Sequence, residues 1–399
     1  MEELIESSEA LRRIFENLPE IPEISCPLEK CAGRILRSTL TADRDFPPFD
    51  RAMMDGYAFR ASEVETGALV SVEATAYAGQ PPVSEGPSKG SCIEIMTGAP
   101  LPPNADCVVP YEWTSKEEGR IKLVEKSRLE SGDFVHRKGS DLRQGETLLE
   151  EGRVLGSREV ALAAACGQTS LSVSKLPAIT TACTGDELVG IDATPLPHQI
   201  RRSNDQAIDT AMARVGLNVK TATHLPDDLD TCRSAIKAMV ESNHFVILTG
   251  GVSVGAKDFL PGILNDLQYR RVFHGVAQKP GKPMGYWISN DCGIFALPGN
   301  PVSVLTCLHQ YVVPGIKRAL GKSGDVVRRE IRLLEKVKKP RHLTLFLPVC
   351  LQGDNAGLPR PARNSGDMVH ILESDGYVPL PAGYDTVDTD LAYPFTPWV

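Results

Sequence analysis

Between residues 249 and 303 the chain carries three glycine- and proline-rich loops: Thr249-Gly250-Gly251-Val252-Ser253-Val254-Gly255, Lys279-Pro280-Gly281-Lys282-Pro283, and Leu297-Pro298-Gly299-Asn300-Pro301-Val302-Ser303. Each follows or joins apolar runs that read as short strands, and the first and third lead into amphipathic runs. Backbone N–H groups at a helix start, small hydroxyls and two lysines can then converge on one anion. That is the chemistry of a phosphate or oxyanion site.

The surrounding segment supplies a matching frame. Ile179 to Cys183 is strand-like, and Asn204 can cap a helix whose apolar face runs Ile208, Met212 and Val215 and which ends at Gly216. A strand follows at Val219 to Thr223, then a helix capped by Asp228 and bearing Leu229, Cys232, Ile236 and Val240, then a strand from Phe245 to Leu248. This βαβα order implies a mostly parallel sheet with helices on both faces. Ligands of such sheets sit beyond the carboxyl ends of the strands, where the glycine loop lies.

Elsewhere the pattern differs. Leu4, Leu11, Ile14, Phe15 and Leu18 stand at helical spacing and predict an acidic amphipathic helix within residues 1–18. From Phe46 to Asp141 short β-type runs (Leu69 to Ala78, Cys92 to Met96, Cys107 to Tyr111, Ile121 to Val124) read as a small β-rich module inserted in a longer element. A helix around Ser157 to Cys166 precedes a strand at Leu171 to Val173. After Gly321, β-rich segments at Glu330 to Leu334, Leu343 to Leu351, Tyr377 to Leu380 and Asp390 to Pro394 predict a C-terminal β domain.

With 399 residues, 42% of them hydrophobic, the chain can build two to four cored domains, yet no apolar stretch is long enough to span a membrane. Its start, Met1-Glu2-Glu3-Leu4-Ile5-Glu6, lacks a basic residue and an apolar signal core, which predicts an unexported, cytoplasmic protein. The ten cysteines show no C-x-x-C spacing, so reduced thiols are expected rather than zinc or disulfides. A net charge of -8 without a basic block argues against nucleic acid as a ligand, so an anionic substrate must be held by local features or a metal ion.

Each motif also has a plainer reading. A strand-to-helix turn needs only one of Gly250, Gly251 and Gly255, with Ser253 and Asp258 adding a hydroxyl and a carboxylate beside a ligand. Lys279 and Lys282 are fixed on a rigid bend, although surface lysines are usually just solvated. Pro298-Gly299-Asn300-Pro301 offers an N-cap, a proline at the first helical position and Ser303 nearby; taken alone, a capped core helix through Val304 and Leu308 is the better reading. Asp55, Asp141, Asp186, Glu187, Asp227, Asp228 and Asp258 lie in turn-like motifs. Carboxylates beside an anion site suggest a bridging Mg²⁺, which takes oxygen ligands, whereas Asp228 reads as a helix cap. Glu187 follows a strand at the same sheet end as Ser253 and Asp258, which singles it out. Thr97-Gly98-Ala99-Pro100 reads as a turn after a strand. No Ser/His/Asp or Cys/His arrangement indicates a side-chain nucleophile.

Together these motifs make the chain resemble the MoeA/gephyrin family, the molybdopterin molybdenumtransferases. The resemblance covers most of the chain and rests on Phe46-Pro47-Pro48-Phe49-Asp50 with Met54-Asp55-Gly56-Tyr57-Ala58, Ile95-Met96-Thr97-Gly98-Ala99-Pro100, Thr184-Gly185-Asp186-Glu187-Leu188, Ser203-Asn204, the three loops, and Asn364-Ser365-Gly366. It departs from the family pattern at Gly275, where a basic residue is common, at Arg51-Ala52, where an Asn-Ser pair is commoner, and at Pro348, near a common arginine.

The resemblance implies an N-terminal helix over 1–23, an elongated linking module over 24–45 and 142–175, a β-rich insertion over 46–141, a MogA-like molybdopterin-binding α/β domain over 176–322 and a β domain over 323–399. It implies a homodimer whose active site lies between the α/β domain of one subunit and the insertion of its partner, uniting Asp55, Thr97 and Asp141 with Glu187, Asp227 and Asp258. The implied reaction inserts molybdate into adenylylated molybdopterin, with Mg²⁺, to give molybdenum cofactor and AMP. Glu187, Asp227 and Asp258 would hold the metal; Gly250, Gly251, Ser253, Gly255, Pro298 and Pro301 would serve the pterin nucleotide; Lys279, Lys282, Ser303, Arg341 and Ser365 would bind the oxyanion. A pterin adenylyltransferase and molybdoenzyme acceptors are the implied protein partners. The alternatives are a tungstate-inserting homologue, a gephyrin-like scaffold, disfavoured by nearly complete acidic and lysine motifs, and a pterin adenylyltransferase, which needs a further domain that this length does not hold.

Overall fold

Phe245, Val246, Ile247, Leu248 and Thr249 are all buried, as in a strand covered on both faces. Their side chains alternate between two hydrophobic clusters. Phe245 and Ile247 join one with Ile208, Met212, Tyr286, Phe295 and Ile316, while Val246 and Leu248 join the other with Cys232, Ile236, Leu260 and Trp287. Fully burying one such side chain stabilises the fold by roughly 1.5–3 kcal/mol.

This strand lies in a six-stranded sheet ordered Val219–Leu225, Ile179–Thr184, Phe245–Thr249, Gly293–Leu297, Gly285–Ile288, Arg270–His274. The first four are parallel and the last two antiparallel. The structure, a computed structural model, describes residues 4–63, 67–123, 129–253, 259–323 and 329–398. It divides into two compact units, one of Met1–Ser38, Glu151–Ser157 and Ser170–Val399, the other of Thr39–Glu150 and Arg158–Thr169.

In the first unit, helices Asn204–Arg214 and Leu229–Ser242 join the parallel strands. Asp228 caps the second, accepting from the Thr231 N–H at 2.9 Å. The first starts one residue earlier than a capping Asn204 would require: Ser203 holds the cap position, and the Asn204 side chain instead donates to the Gly299 carbonyl at 2.8 Å. The N-terminal helix is shorter than the periodicity suggests, Ser7–Phe15. Ile5 leaves the helix to pair in parallel with Val276, and the Ala277 N–H donates to the Ile5 carbonyl at 2.8 Å. A long-range β contact there overrides the local helical pattern.

The C-terminal part of this unit forms a seven-stranded sheet including Glu330–Leu333, Thr344–Leu351, Ala356–Pro359, Gly376–Leu380 and Ala392–Pro394. Its seventh strand is Gln278–Lys279 from the second loop, which pairs in parallel with Thr344 and Leu345. After Gly321 a one-turn helix stands at Met368–Ile371 beside these strands.

The second unit is built on a six-stranded sheet ordered Cys107–Pro110, Gly56–Phe59, Ser91–Ile95, Leu69–Ala76, Arg120–Leu123, Thr114–Glu117. Gly56–Phe59 is entirely buried, so the motif around Asp55 is the entrance to an inner strand rather than a free-standing turn. A Cβ at Gly56 would lie 2.0 Å from the Val109 carbonyl oxygen, and only glycine permits that approach.

Candidate active site

The three loops meet in the first unit around one cavity of about 1030 Å³. The first and third meet backbone to backbone. Gly250 has φ +90° and donates its N–H to the Leu297 carbonyl at 3.1 Å; a Cβ there would stand 2.7 Å from the Thr184 carbonyl oxygen. The second loop is anchored by its pairing with Thr344–Leu351, so the C-terminal sheet supplies the remaining wall.

Of the residues singled out above, Glu187, Asp227, Gly250, Gly251, Ser253, Lys279, Lys282, Pro298, Pro301, Ser303 and Ser365 line this cavity. Gly255 and Asp258 lie outside the described residues. Arg341 is not among the lining residues. Its Nε donates to the Gly383 carbonyl at 3.1 Å while the Gly383 N–H donates to its own carbonyl at 2.7 Å, and these reciprocal bonds hold it on a neighbouring loop.

The third loop differs from an open helix start. The helix Pro301–Cys307 runs on through a π turn at Leu308–Val312 into Val313–Ala319, but its start is occupied: Pro301 lacks an N–H, and the Val302 N–H donates to the Ser365 carbonyl at 3.1 Å. Asn300 makes no side-chain cap bond and donates from Nδ2 to Ser365 Oγ at 2.8 Å. Because Asn300 is the donor, the Ser365 hydroxyl keeps its own hydrogen to give to a ligand. Binding of an anion here falls chiefly to side chains.

The acidic pair at the cavity is sorted by hydrogen bonding. Asp186 Oδ1 accepts from the Asp227 N–H at 3.0 Å and so fixes the turn, whereas exposed Glu187 and half-buried Asp227 line the cavity. Among the described residues no group of three or more His, Cys, Asp or Glu is placed to share one ion. Cys183 also borders the cavity, and burial raises its thiol above the ordinary range, which keeps it protonated and a poor nucleophile.

The lining holds six cations, Arg201, Arg202, Lys279, Lys282, Lys338 and Arg363, against the two carboxylates Glu187 and Asp227. In a chain of net charge -8, that local surplus is a focused positive field. Arg202 lies 3.8 Å from Asp205, and Arg201 donates to the Ala193 carbonyl at 2.9 Å. Sequence reasoning missed Arg201, Arg202, Lys338 and Arg363, because single cations in loops carry no periodic signal.

In the second unit, Asp55 accepts from the Thr97 N–H at 2.6 Å and from its hydroxyl at 2.7 Å. These bonds, the backbone one foremost, hold its carboxyl below the usual carboxylate range. Asp141 accepts from His136 Nε2 at 2.8 Å, and this bond lowers its carboxyl likewise. Arg51, on a strand antiparallel to Val135–His136, places its guanidinium 3.2 Å from His136 Nδ1. Each group is built within its own unit.

An α/β sheet whose carboxyl end opens on a cationic cavity defines a protein that binds phosphate-like anions. The family profile described as "MoeA N-terminal region (domain I and II)" matches residues 5–167, and that described as "Probable molybdopterin binding domain" matches residues 180–318. A molybdopterin molybdenumtransferase of Synechocystis sp. is 35% identical, covering 99% of this chain and 100% of its own. One of Synechococcus elongatus is 31% identical, over 96% of each chain. The crystal structure of a molybdopterin biosynthesis MoeA protein from Pyrococcus horikoshii superposes with a TM-score of 0.80 at 30% identity over the whole of both chains. The chain belongs to the MoeA family.

Proposed function

We propose that the protein is a molybdopterin molybdenumtransferase that inserts molybdate into adenylylated molybdopterin, forming molybdenum cofactor and releasing AMP. The observation that carries this reading is the convergence of the three loops on one cation-rich cavity large enough for a nucleotide-sized ligand. Relatives named for this activity, matched along their full length, support it.

The chain's own groups divide the work. Gly250 and Gly251 let the backbone approach the nucleotide phosphates, and Ser253 offers them a hydroxyl. Lys279, Lys282, Ser303 and the Ser365 hydroxyl face a tetrahedral dianion, by the chemistry that also serves phosphate. Pro298 and Pro301 hold the third loop rigid. Glu187 and Asp227, with Asp258, would hold Mg²⁺, a hard ion that takes carboxylate oxygens completed by substrate phosphates. The ion would neutralise the pyrophosphate and help AMP leave. No covalent enzyme intermediate is needed, and the protonated Cys183 thiol is consistent with that.

Asp55, Thr97 and Asp141 are assigned to the same reaction through a homodimer in which the insertion of one subunit completes the cavity of its partner. The boundaries 1–23, 24–45 with 142–175, 46–141, 176–322 and 323–399 are the domain limits of this reading, and the cytoplasm its setting. Among the described residues no helix is long and apolar enough to cross a membrane.

The test supplies purified protein with adenylylated molybdopterin and Mg²⁺ and follows AMP release as molybdate or tungstate is titrated in. Oxyanion-dependent AMP release with active cofactor is the expected result. Binding of the pterin nucleotide without turnover would replace the enzyme by a carrier, and adenylylation of free molybdopterin from ATP would replace it by an adenylyltransferase.

A further inference from the structure

Four cations of the cavity, Lys279, Lys282, Lys338 and Arg363, have no side-chain ion-pair or hydrogen-bond partner among the described residues. The second loop accounts for two of them. Lys338 and Arg363 come from the C-terminal part of the chain, both exposed, and nothing in the packing of that sheet requires a charge at either place. Uncompensated cations gathered around a concavity repel one another unless an anion stands between them.

Both are aimed by local structure. Lys339 is buried, and its Nζ donates to the Leu343 carbonyl at 3.1 Å. Lys338 bridges to Thr386 in an extended conformation, so alternation sends its side chain the other way, to the cavity. Arg363 stands on an anchored turn. Its N–H donates to Asp367 Oδ2 at 3.2 Å, Gly366 N–H donates to Asn364 Oδ1 at 2.9 Å, and Ser365 is held by Asn300 and Val302 of the third loop.

Other sources of charge are closed. The helix that starts at Pro301 has its first N–H occupied by Ser365. A basic residue at position 275 would be strained at φ +97° and would displace Leu4, whose Cδ2 would lie 2.8 Å from a Cβ there. Position 348 is a buried proline.

We propose that Lys338 and Arg363 form a second cationic pair that binds a tetrahedral oxyanion against the C-terminal wall of the cavity. The proposal rests on the reading of this cavity as the oxyanion and nucleotide site. The group bound is either the free metal oxyanion or a phosphoryl group of the nucleotide, which share the same charge and geometry. Arg363 suits it by offering two parallel N–H donors, Lys338 by a mobile point charge.

Calorimetric titration of the full chain with tungstate, and separately with pyrophosphate, tests the pair in Lys338→Met, Arg363→Met and the double variant, with Lys279→Met alongside. The double variant is expected to lose about tenfold or more in affinity for at least one probe. Its thermal midpoint should not move, since both side chains are exposed. A loss confined to tungstate assigns the pair to the metal oxyanion, and a loss confined to pyrophosphate assigns it to a phosphoryl group. Arg363→Lys, which keeps the charge, should recover part of the affinity. Unchanged affinity of the double variant for both probes, with binding weakened in Lys279→Met, overturns the pair and leaves the cavity's assignment standing. Absence of binding by the unaltered chain overturns both.

Discussion

Asp55 takes two hydrogen bonds from a single residue, the N–H and the hydroxyl of Thr97, at 2.6 and 2.7 Å. The carboxylate at the entrance of a buried strand is thereby tied to the loop Thr97-Gly98-Ala99-Pro100. Thr97→Val removes one donor and should bring the Asp55 carboxyl back up toward the ordinary carboxylate value, near 3.9. A depressed folded-state value contributes stability above the unfolded value that is lost as pH falls through the folded one. The variant should therefore lose that contribution at a higher pH than the parent; carbon-detected titration of the Asp55 carboxyl reads the shift directly.

His136 lies between a group that can only donate, Arg51, and one that can only accept, Asp141. These partners assign the donor role to Nε2, facing Asp141, and the acceptor role to Nδ1, facing Arg51. His136→Leu should raise the Asp141 carboxyl toward its ordinary value, whereas His136→Gln, which restores an N–H donor, should keep it low. Nitrogen chemical shifts of the labelled imidazole check the tautomer independently, and a proton on Nδ1 would refute the assignment.

Glu187→Gln retains shape and removes charge from the cavity edge. The concentration of Mg²⁺ needed for half-maximal AMP release should rise by about ten- to a hundredfold. Chelation should abolish turnover in the parent without lowering its helix content. Turnover of the variant with an unaltered Mg²⁺ requirement would remove Glu187 from metal binding.

Gly275→Ala places a methyl against Leu4 at a positive φ. It should destabilise the fold by about 1–3 kcal/mol, read from urea midpoints. A variant of Leu4, Leu4→Ala, should recover the steric part of that loss, leaving the backbone part.

The βαβα core was legible because its signals are local. Ile208, Met212 and Ile236 repeat at helical spacing, Asp228 caps, and Phe245 to Leu248 is an unbroken apolar run between a polar turn and glycines. Gly56–Phe59 was not, since a four-residue inner strand begins on a glycine whose reason is a carbonyl on a distant strand. The same holds for Leu4 and Ile5, whose helical spacing is overridden by residues 275–277. In the site, the loop residues Ser253, Lys279, Lys282 and Ser303 were marked by glycine and proline, whereas Lys338 and Arg363 were not. Arg341 shows the reverse: a cation in a suggestive place, turned away by two hydrogen bonds to Gly383.

The parallel pairing of Gln278–Lys279 with Thr344 and Leu345 makes the lysine loop an edge strand of the C-terminal sheet. The two segments are therefore not interchangeable cassettes. A chimera that takes residues 329–398 from a relative with a different Thr344-Leu345 register would shift the lysine ammonium groups by the spacing of a strand residue, about 3.3 Å, enough to part them from an anion they would otherwise grip. Transplanting the sheet together with the loop would preserve the grip.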